Sequence, residues 1–101
     1  MKFAGFDWDA GNIEKCQKHG VSIGEIEWVF EHDVQIRPDI AHSKNELRMR
    51  AVGINADGRY LMVIFTLREV ESLHLVRPIS ARYMHQREVR HYVETATRTY
   101  H

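Results

Sequence analysis

SLHLVRPISARYMHQREVRHY, residues 72–92, opens in the alternation of a β-strand and closes in the charge pattern of a helix. Leu73, Leu75 and Arg77 share one face, and Ser72, His74 and Val76 the other, as a two-residue period requires. Pro78 has no N–H to give a ladder, so the strand is expected to stop there, and Ile79-Ser80-Ala81 to turn into the helix. Arg77, Arg82, Arg87 and Arg90 all fall in this stretch, with Glu88 as its internal acid. A strand that delivers several arginines to one helix entrance suggests a phosphate-binding surface. A solvated terminal helix with ordinary surface charges is the plainer alternative.

Upstream of this stretch the pattern is that of strands. RYLMVIFTL, Arg59 to Leu67, is almost continuously apolar and reads as the central strand. Asp57-Gly58 before it is a hairpin turn signal. ELRMRAVGIN, Glu46 to Asn55, alternates, with Leu47, Met49 and Ala51 opposite Arg48, Arg50 and Val52. Arg68 to Glu71 is expected to make a tight turn into the strand Ser72 to Arg77, completing an antiparallel meander. Downstream, Val89, Tyr92, Val93 and Ala96 recur at helical spacing and predict a stripe packed on the sheet, leaving Arg82, Gln86 and Arg90 on a polar face. Thr97 to His101 reads as a frayed tail.

The first third has helical grammar. Lys2 to Trp8 is a short strand candidate. Asp9 is placed to cap a helix over Ala10 to Lys18, with Ile13 and Cys16 inward, and Gly20 is a typical stop. Ser22 and Glu25 form an S-x-x-E capping box, flanked by Val21 and Ile26 at the staple positions. Ile26, Val29 and Phe30 give the second helix its apolar stripe, and Glu25, Glu27 and Glu31 its polar one. Val34 to Arg37 follows as a strand ended by Pro38, then a polar loop from Ile40 to Asn45.

At 101 residues the chain is expected to be one domain with a modest core. Cys16 is the single cysteine, which excludes an internal disulfide and fits a reducing cytoplasm. No apolar run approaches the ~20 residues of a membrane span, and no signal peptide opens the chain. The formal net charge is zero but unevenly spread. Residues 1–39 carry four Lys/Arg against eight Asp/Glu, whereas 40–68 and 73–101 each carry five against two. If the two basic segments fold together, they form a positive patch that the overall balance hides. Zinc sites favour close spacings such as C-x-x-C or H-x-x-x-H; His85 and His91 straddle Glu88, but nothing else converges on them by sequence, so no metal or other cofactor is expected.

The motifs, taken in order, resemble those of the BrnT toxins, the ribonuclease half of a bacterial type II toxin–antitoxin pair. They are FDWD at Phe6 to Asp9, KCQKHGVS at Lys15 to Ser22, Val29-Phe30, His42-Ser43, Arg48 with Gly53, GRYL at Gly58 to Leu61, FTLR at Phe65 to Arg68, and RPISARYMHQRE at Arg77 to Glu88. The resemblance implies an α+β, RelE-like fold: two N-terminal helices and a C-terminal helix on a twisted, mainly antiparallel sheet. It implies metal-independent RNA cleavage and inhibition by a BrnA-type antitoxin.

RNA carries its own nucleophile, the 2′-hydroxyl. A protein that cuts it must move two protons and stabilise charge on phosphorus, work suited to histidine and arginine. Carried over position by position, the resemblance makes Arg48, Arg77 and Arg82 phosphate-holding residues. His42 is a candidate for proton transfer, and Lys18, His19 and His85 for proton transfer or RNA contact. Tyr83 is placed to stack on a base. Structural roles compete for some of these side chains: Arg48 as an ion pair with Glu46 or Glu88, Arg59 as a surface charge, His74 as a strand residue and Tyr92 as core. A non-catalytic module of the same fold, docking an antitoxin or nucleic acid, is the alternative function.

Overall fold

The computed structural model describes residues 3–40 and 46–99, with side chains up to residue 95. Among these residues the chain runs β1 (Gly5–Phe6), α1 (Ala10–Gln17), α2 (Ile23–Glu31), β2 (Val34–Pro38), β3 (Met49–Ile54), β4 (Tyr60–Val70), β5 (Leu73–Tyr83) and α3 (Gln86–Thr99). The strands form one sheet in the order β1-β5-β4-β3-β2. The last four pair antiparallel, and β1 joins β5 in parallel. This is the expected α+β arrangement with a C-terminal helix.

The two N-terminal helices form because their first turns are closed by side chains. Asp9 and Asn12 bond each other's backbone amides at 2.9 and 2.7 Å, and Ser22 and Glu25 do the same at 3.1 Å. Each reciprocal pair satisfies amide donors that an isolated helix leaves open. Gly20, at φ +91°, takes the left-handed conformation that turns α1 into α2. Both helices lie on one face of the sheet. There Cys16, Val21, Ile26 and Val29 pack against Ala51, Leu61, Val63, Phe65, Val76 and Ala81, all essentially buried. Phe30 meets Phe65 edge-to-face at 5.0 Å. Helix α2 rides so close to β3 that a Cβ on Gly53 would stand 2.8 Å from Val29 Cβ.

Four expectations are corrected. In α1 the inward partner of Cys16 is Asn12, and Ile13 is exposed. The Asn12 amide sets that rotation, donating to the Asp7 and Pro78 carbonyls at 2.9 and 3.0 Å. The first strand is two residues long rather than spanning Lys2 to Trp8, because the Asp7 carbonyl already turns to accept from the Asn12 side chain of α1. The turn between β4 and β5 is Glu71-Ser72, not Arg68 to Glu71, with φ of 50° and 69°. Two positive values match a two-residue turn whose twist follows that of the strands, formed here without glycine.

The fourth correction concerns Pro78. It does not end its strand: β5 continues to Tyr83, so Ile79-Ser80-Ala81 and Arg82 belong to the sheet and not to the final helix. The reason is a bulge. Ile64 pairs with Ser80 and Phe65 with Pro78, leaving Ile79 as an extra residue. Val76, two residues before the proline, turns its carbonyl away from β4 to accept from the Asp7 N–H. Alternation points the nitrogen of Pro78 the same way, beyond the end of β1, where the ladder with β4 loses nothing. Helix α3 then starts at Gln86 and runs through Thr97 to Thr99, part of the segment expected to fray.

Candidate functional site

The helices α1 and α2 cover one face of the sheet, and the other face carries the arginines. Its rows follow from the strand register. Arg37 of β2 is opposite Arg50 of β3, which is opposite Ile64 and then Ser80. The next row holds Gln35, Val52, Met62 and Arg82. On the other side, Thr66 pairs with Arg77. Arg48 precedes β3 by one residue, and its carbonyl accepts from the Asp39 N–H at 2.8 Å, so the alternation carries on and brings Arg48 to this row. Arg48 and Arg77 thus stand two strands apart, roughly 10 Å between backbones at the usual spacing. Arg82 is two rows further along, roughly 13 Å.

Arg77 and Arg82 are five residues apart, an odd number that would put them on opposite faces of a regular strand. The extra residue at Ile79 restores them to the same one. Both are held by carboxylates. Arg77 Nη2 donates to Asp9 at 2.7 Å and its Nη1 to Asp7 at 3.3 Å, while Arg68 donates to the same Asp7 oxygen at 2.9 Å. Arg82 makes a two-pronged pair with Glu88 of α3 at 2.7 and 2.8 Å. Glu88 therefore pairs with Arg82. The Arg82 hydrogen bonds, assisted by one from the His85 N–H at 2.9 Å, pull the Glu88 carboxyl down to a pKa of about 2. Through this shared carboxylate, His85 and Arg82 are neighbours at the end of β5.

The remaining site candidates divide between two places. Tyr83 follows Arg82 but faces the helix side, with Gly20 beside its ring. Its hydroxyl donates to Glu25, with oxygens at 2.8 and 2.9 Å, and the Arg59 guanidinium lies 3.6 Å from its ring centre. The bond to Glu25, then burial, raises the Tyr83 pKa above its usual value. Burial alone would raise the Glu25 carboxyl, but bonds from Asn55, Ser22 and Tyr83 outweigh it and hold it below the ordinary range. Lys18, the C-cap of α1, and His19 are exposed near this cluster. Arg59 is thus a cation stacked on an aromatic face as well as a surface charge. His42 and Ser43 lie outside the described residues.

Sequence reasoning missed Arg37 and the role of Arg50 on the open face. The signal was present: Arg50 alternates with Met49 and Ala51 in the strand pattern. The β2–β3 register that pairs it with Arg37 is not readable from either strand alone. Helix α3 crosses this end of the face. Tyr92 meets Tyr60 edge-to-face at 6.0 Å, Val89 is half-buried and Val93 remains 42% exposed, so its stripe is only partly covered. Between α3 and the sheet lies a cleft of about 310 Å³ with Arg37 and Arg50 on its margin. Among the described residues no three His, Cys, Asp or Glu side chains converge as a metal site. No described helix is long and apolar enough to cross a membrane.

An arginine-bearing sheet face beside a terminal helix is an arrangement suited to a polyanion. Comparison with individually characterised proteins finds no significant match. The family comparison does: the sequence pattern of "Ribonuclease toxin, BrnT, of type II toxin-antitoxin system" matches residues 8–88. That span runs from Trp8, just past β1, through the other four strands to Glu88, and the chain belongs to the BrnT family of ribonuclease toxins.

Proposed function

We propose that this BrnT-family chain cuts RNA internally, without a metal, by attack of a 2′-hydroxyl on the adjacent phosphate. The observation that carries the reading is the open sheet face, where Arg48, Arg77 and Arg82 are brought to one side by register and bulge. Guanidinium groups match a phosphate in shape and stay charged as its oxygens gain negative charge. In this reading Arg82 and Arg77 hold the scissile phosphate, with Arg48 beside them, and the RNA displaces Glu88 and the Asp7–Asp9 pair as it enters. His85, which shares Glu88 with Arg82, is placed for proton transfer, as is His42. Lys18, His19 and Tyr83 extend the contact around the end of β5 to the helix side. A BrnA-type antitoxin blocks the same face, and RNA is the cytoplasmic substrate.

The test is a defined RNA incubated with pure protein, with and without EDTA. Cleavage that persists in EDTA and leaves 2′,3′-cyclic phosphate ends is expected, and a 2′-deoxy substitution at the cut site abolishes it. Arg82→Ala is expected to slow cleavage by ~10²-fold or more, the scale for losing one charge-stabilising donor. Equal activity of that variant would remove Arg82 from the site. RNA binding with no cleavage would instead leave a docking module of the same fold.

A further inference from the structure

Arg37 and Arg50 differ from the other arginines of the open face. They are directly opposite across the β2–β3 ladder. Neither forms an ion pair or hydrogen bond with any described residue. Like charges set face to face in a sheet are destabilising, so the fold carries an unneutralised pair where Arg77 and Arg82 have carboxylates. The pair stands on the margin of the cleft beneath α3, whose lining sets an apolar patch of Val52, Met62, Met84 and the ring of Tyr92 beside the polar Glu88 and His91 of α3. At about 310 Å³ the cleft is at the lower end of the range of small-ligand sites, too small for a peptide helix. Arg82 borders it, with Nη2 3.8 Å from Met62 Sδ.

We infer that this cleft seats one nucleotide of a single-stranded RNA, with a phosphate across Arg37 and Arg50 and the base laid among Val52, Met62 and Tyr92. The inference rests on the ribonuclease reading and names the place beside Arg82 where that RNA is gripped. Charge and shape act together here. Arg37 and Arg50 accept an anion without ejecting a carboxylate of their own, since Glu88 in the same lining is held by Arg82, and the patch of Val52, Met62 and Tyr92 accepts the flat face of a base, which stacks without hydrogen-bond readout. A free phosphate ion would use the arginines alone. A base makes the cleft itself matter, so the two ligands are separable.

The first measurement is methyl NMR of the full chain titrated with each of the four ribonucleoside 5′-monophosphates and with ribose 5-phosphate. Nucleotides are expected to shift the Val52, Met62 and Met84 methyls, and ribose 5-phosphate to leave them in place. Equal shifts from both would reduce the site to an anion site and overturn the inference. The second measurement is affinity for a short 2′-O-methyl RNA, which cannot be cut, across a salt series. Arg37→Gln and Arg50→Gln are each expected to weaken binding about 5–10-fold at low salt. Each should also lower the slope of log K against log salt by roughly 0.7, one phosphate contact on a single strand. Both variants should melt no lower than the natural chain, since a repulsion is removed, which separates loss of binding from loss of fold. Unchanged affinity and slope in both variants would overturn the inference, while EDTA-resistant cleavage by the natural chain would leave the ribonuclease reading standing. Shifted methyls without any cleavage would keep the nucleotide site and sink the enzyme. Methyl shifts on addition of the antitoxin, with none from nucleotides or RNA, would assign the cleft to the protein partner.

Discussion

Glu88→Gln removes one negative charge at the junction of β5 and α3 while keeping the side chain's shape. The carboxylate accepts from both Arg82 terminal nitrogens and from the His85 N–H, so one group ties the strand end, the helix start and a candidate catalytic arginine together. Arg82 and Glu88 keep 38% and 33% of their side-chain exposure, so water screens the pair and its worth is about 1 kcal/mol, the upper end for exposed pairs. Weakening the bond to the amide at the helix start adds about 0.5 kcal/mol. A total near 1.5 kcal/mol lowers the melting temperature by roughly 6–12 °C in a chain of this size. The pH dependence has a definite sign. The Glu88 carboxyl is depressed from 4.5 to about 2 in the folded chain, so its stabilisation is complete above the unfolded value and is lost as pH falls through the folded one. Urea unfolding of the two proteins at pH 7, 5 and 3 should show the full gap at the first two, and roughly less than half of it at pH 3. At neutral pH the variant should also bind the 2′-O-methyl RNA more tightly, because Arg82 has lost its internal competitor. A stability gap that is absent, or equal at pH 7 and pH 3, would refute the reasoning.

Three further outcomes test the packing. Gly53→Ala places a methyl 2.8 Å from Val29 Cβ, an atom fixed to the helix backbone, so α2 must lift from β3; a loss of about 1–3 kcal/mol in urea unfolding is expected. Phe65→Ala empties the centre of the core, where the ring is fully buried against Phe3 and Phe30, and should cost about 3–5 kcal/mol by the same measurement. Burial pushes the Cys16 thiol up to about 11, so the native chain should react with a disulfide reagent at pH 8 only as fast as it unfolds, and the rate should jump in denaturant.

What could be read from the linear chain was whatever depends on neighbours in sequence. Ser22 and Glu25 announce the start of α2 because both partners of the box lie within one turn. Asp57-Gly58 announces the hairpin because Gly58 supplies the positive φ, +82°, on its own. The strands of the meander show their alternation directly. Pro78 misled because the property that bars it from a ladder matters only when its nitrogen faces a partner, and that depends on where β1 ends. Ile13 misled because Asn12 competes for the same helix face through carbonyls of Asp7 and Pro78, one of them 66 residues away. For the site, the arginines of residues 77–82 were legible by type. Their internal carboxylates were not: Asp7 and Asp9 arrive from the far end of the chain, and the sequence offers Glu88 to Arg48 as readily as to Arg82. The facing of Arg37 and Arg50 is a fact of pairing that neither segment contains.

The unpaired Ile79 makes chain length itself a chemical variable here. Deleting that one residue would let the ladder close without interruption and rotate everything before it by half a turn. Arg77 would pass through to the packed side, and Val76, now fully buried, would emerge into water. A single deletion would thus trade a guanidinium for a core valine at two positions it never touches. A chain one residue shorter between residues 77 and 82 would turn Arg77 to the other face, however alike it is letter by letter.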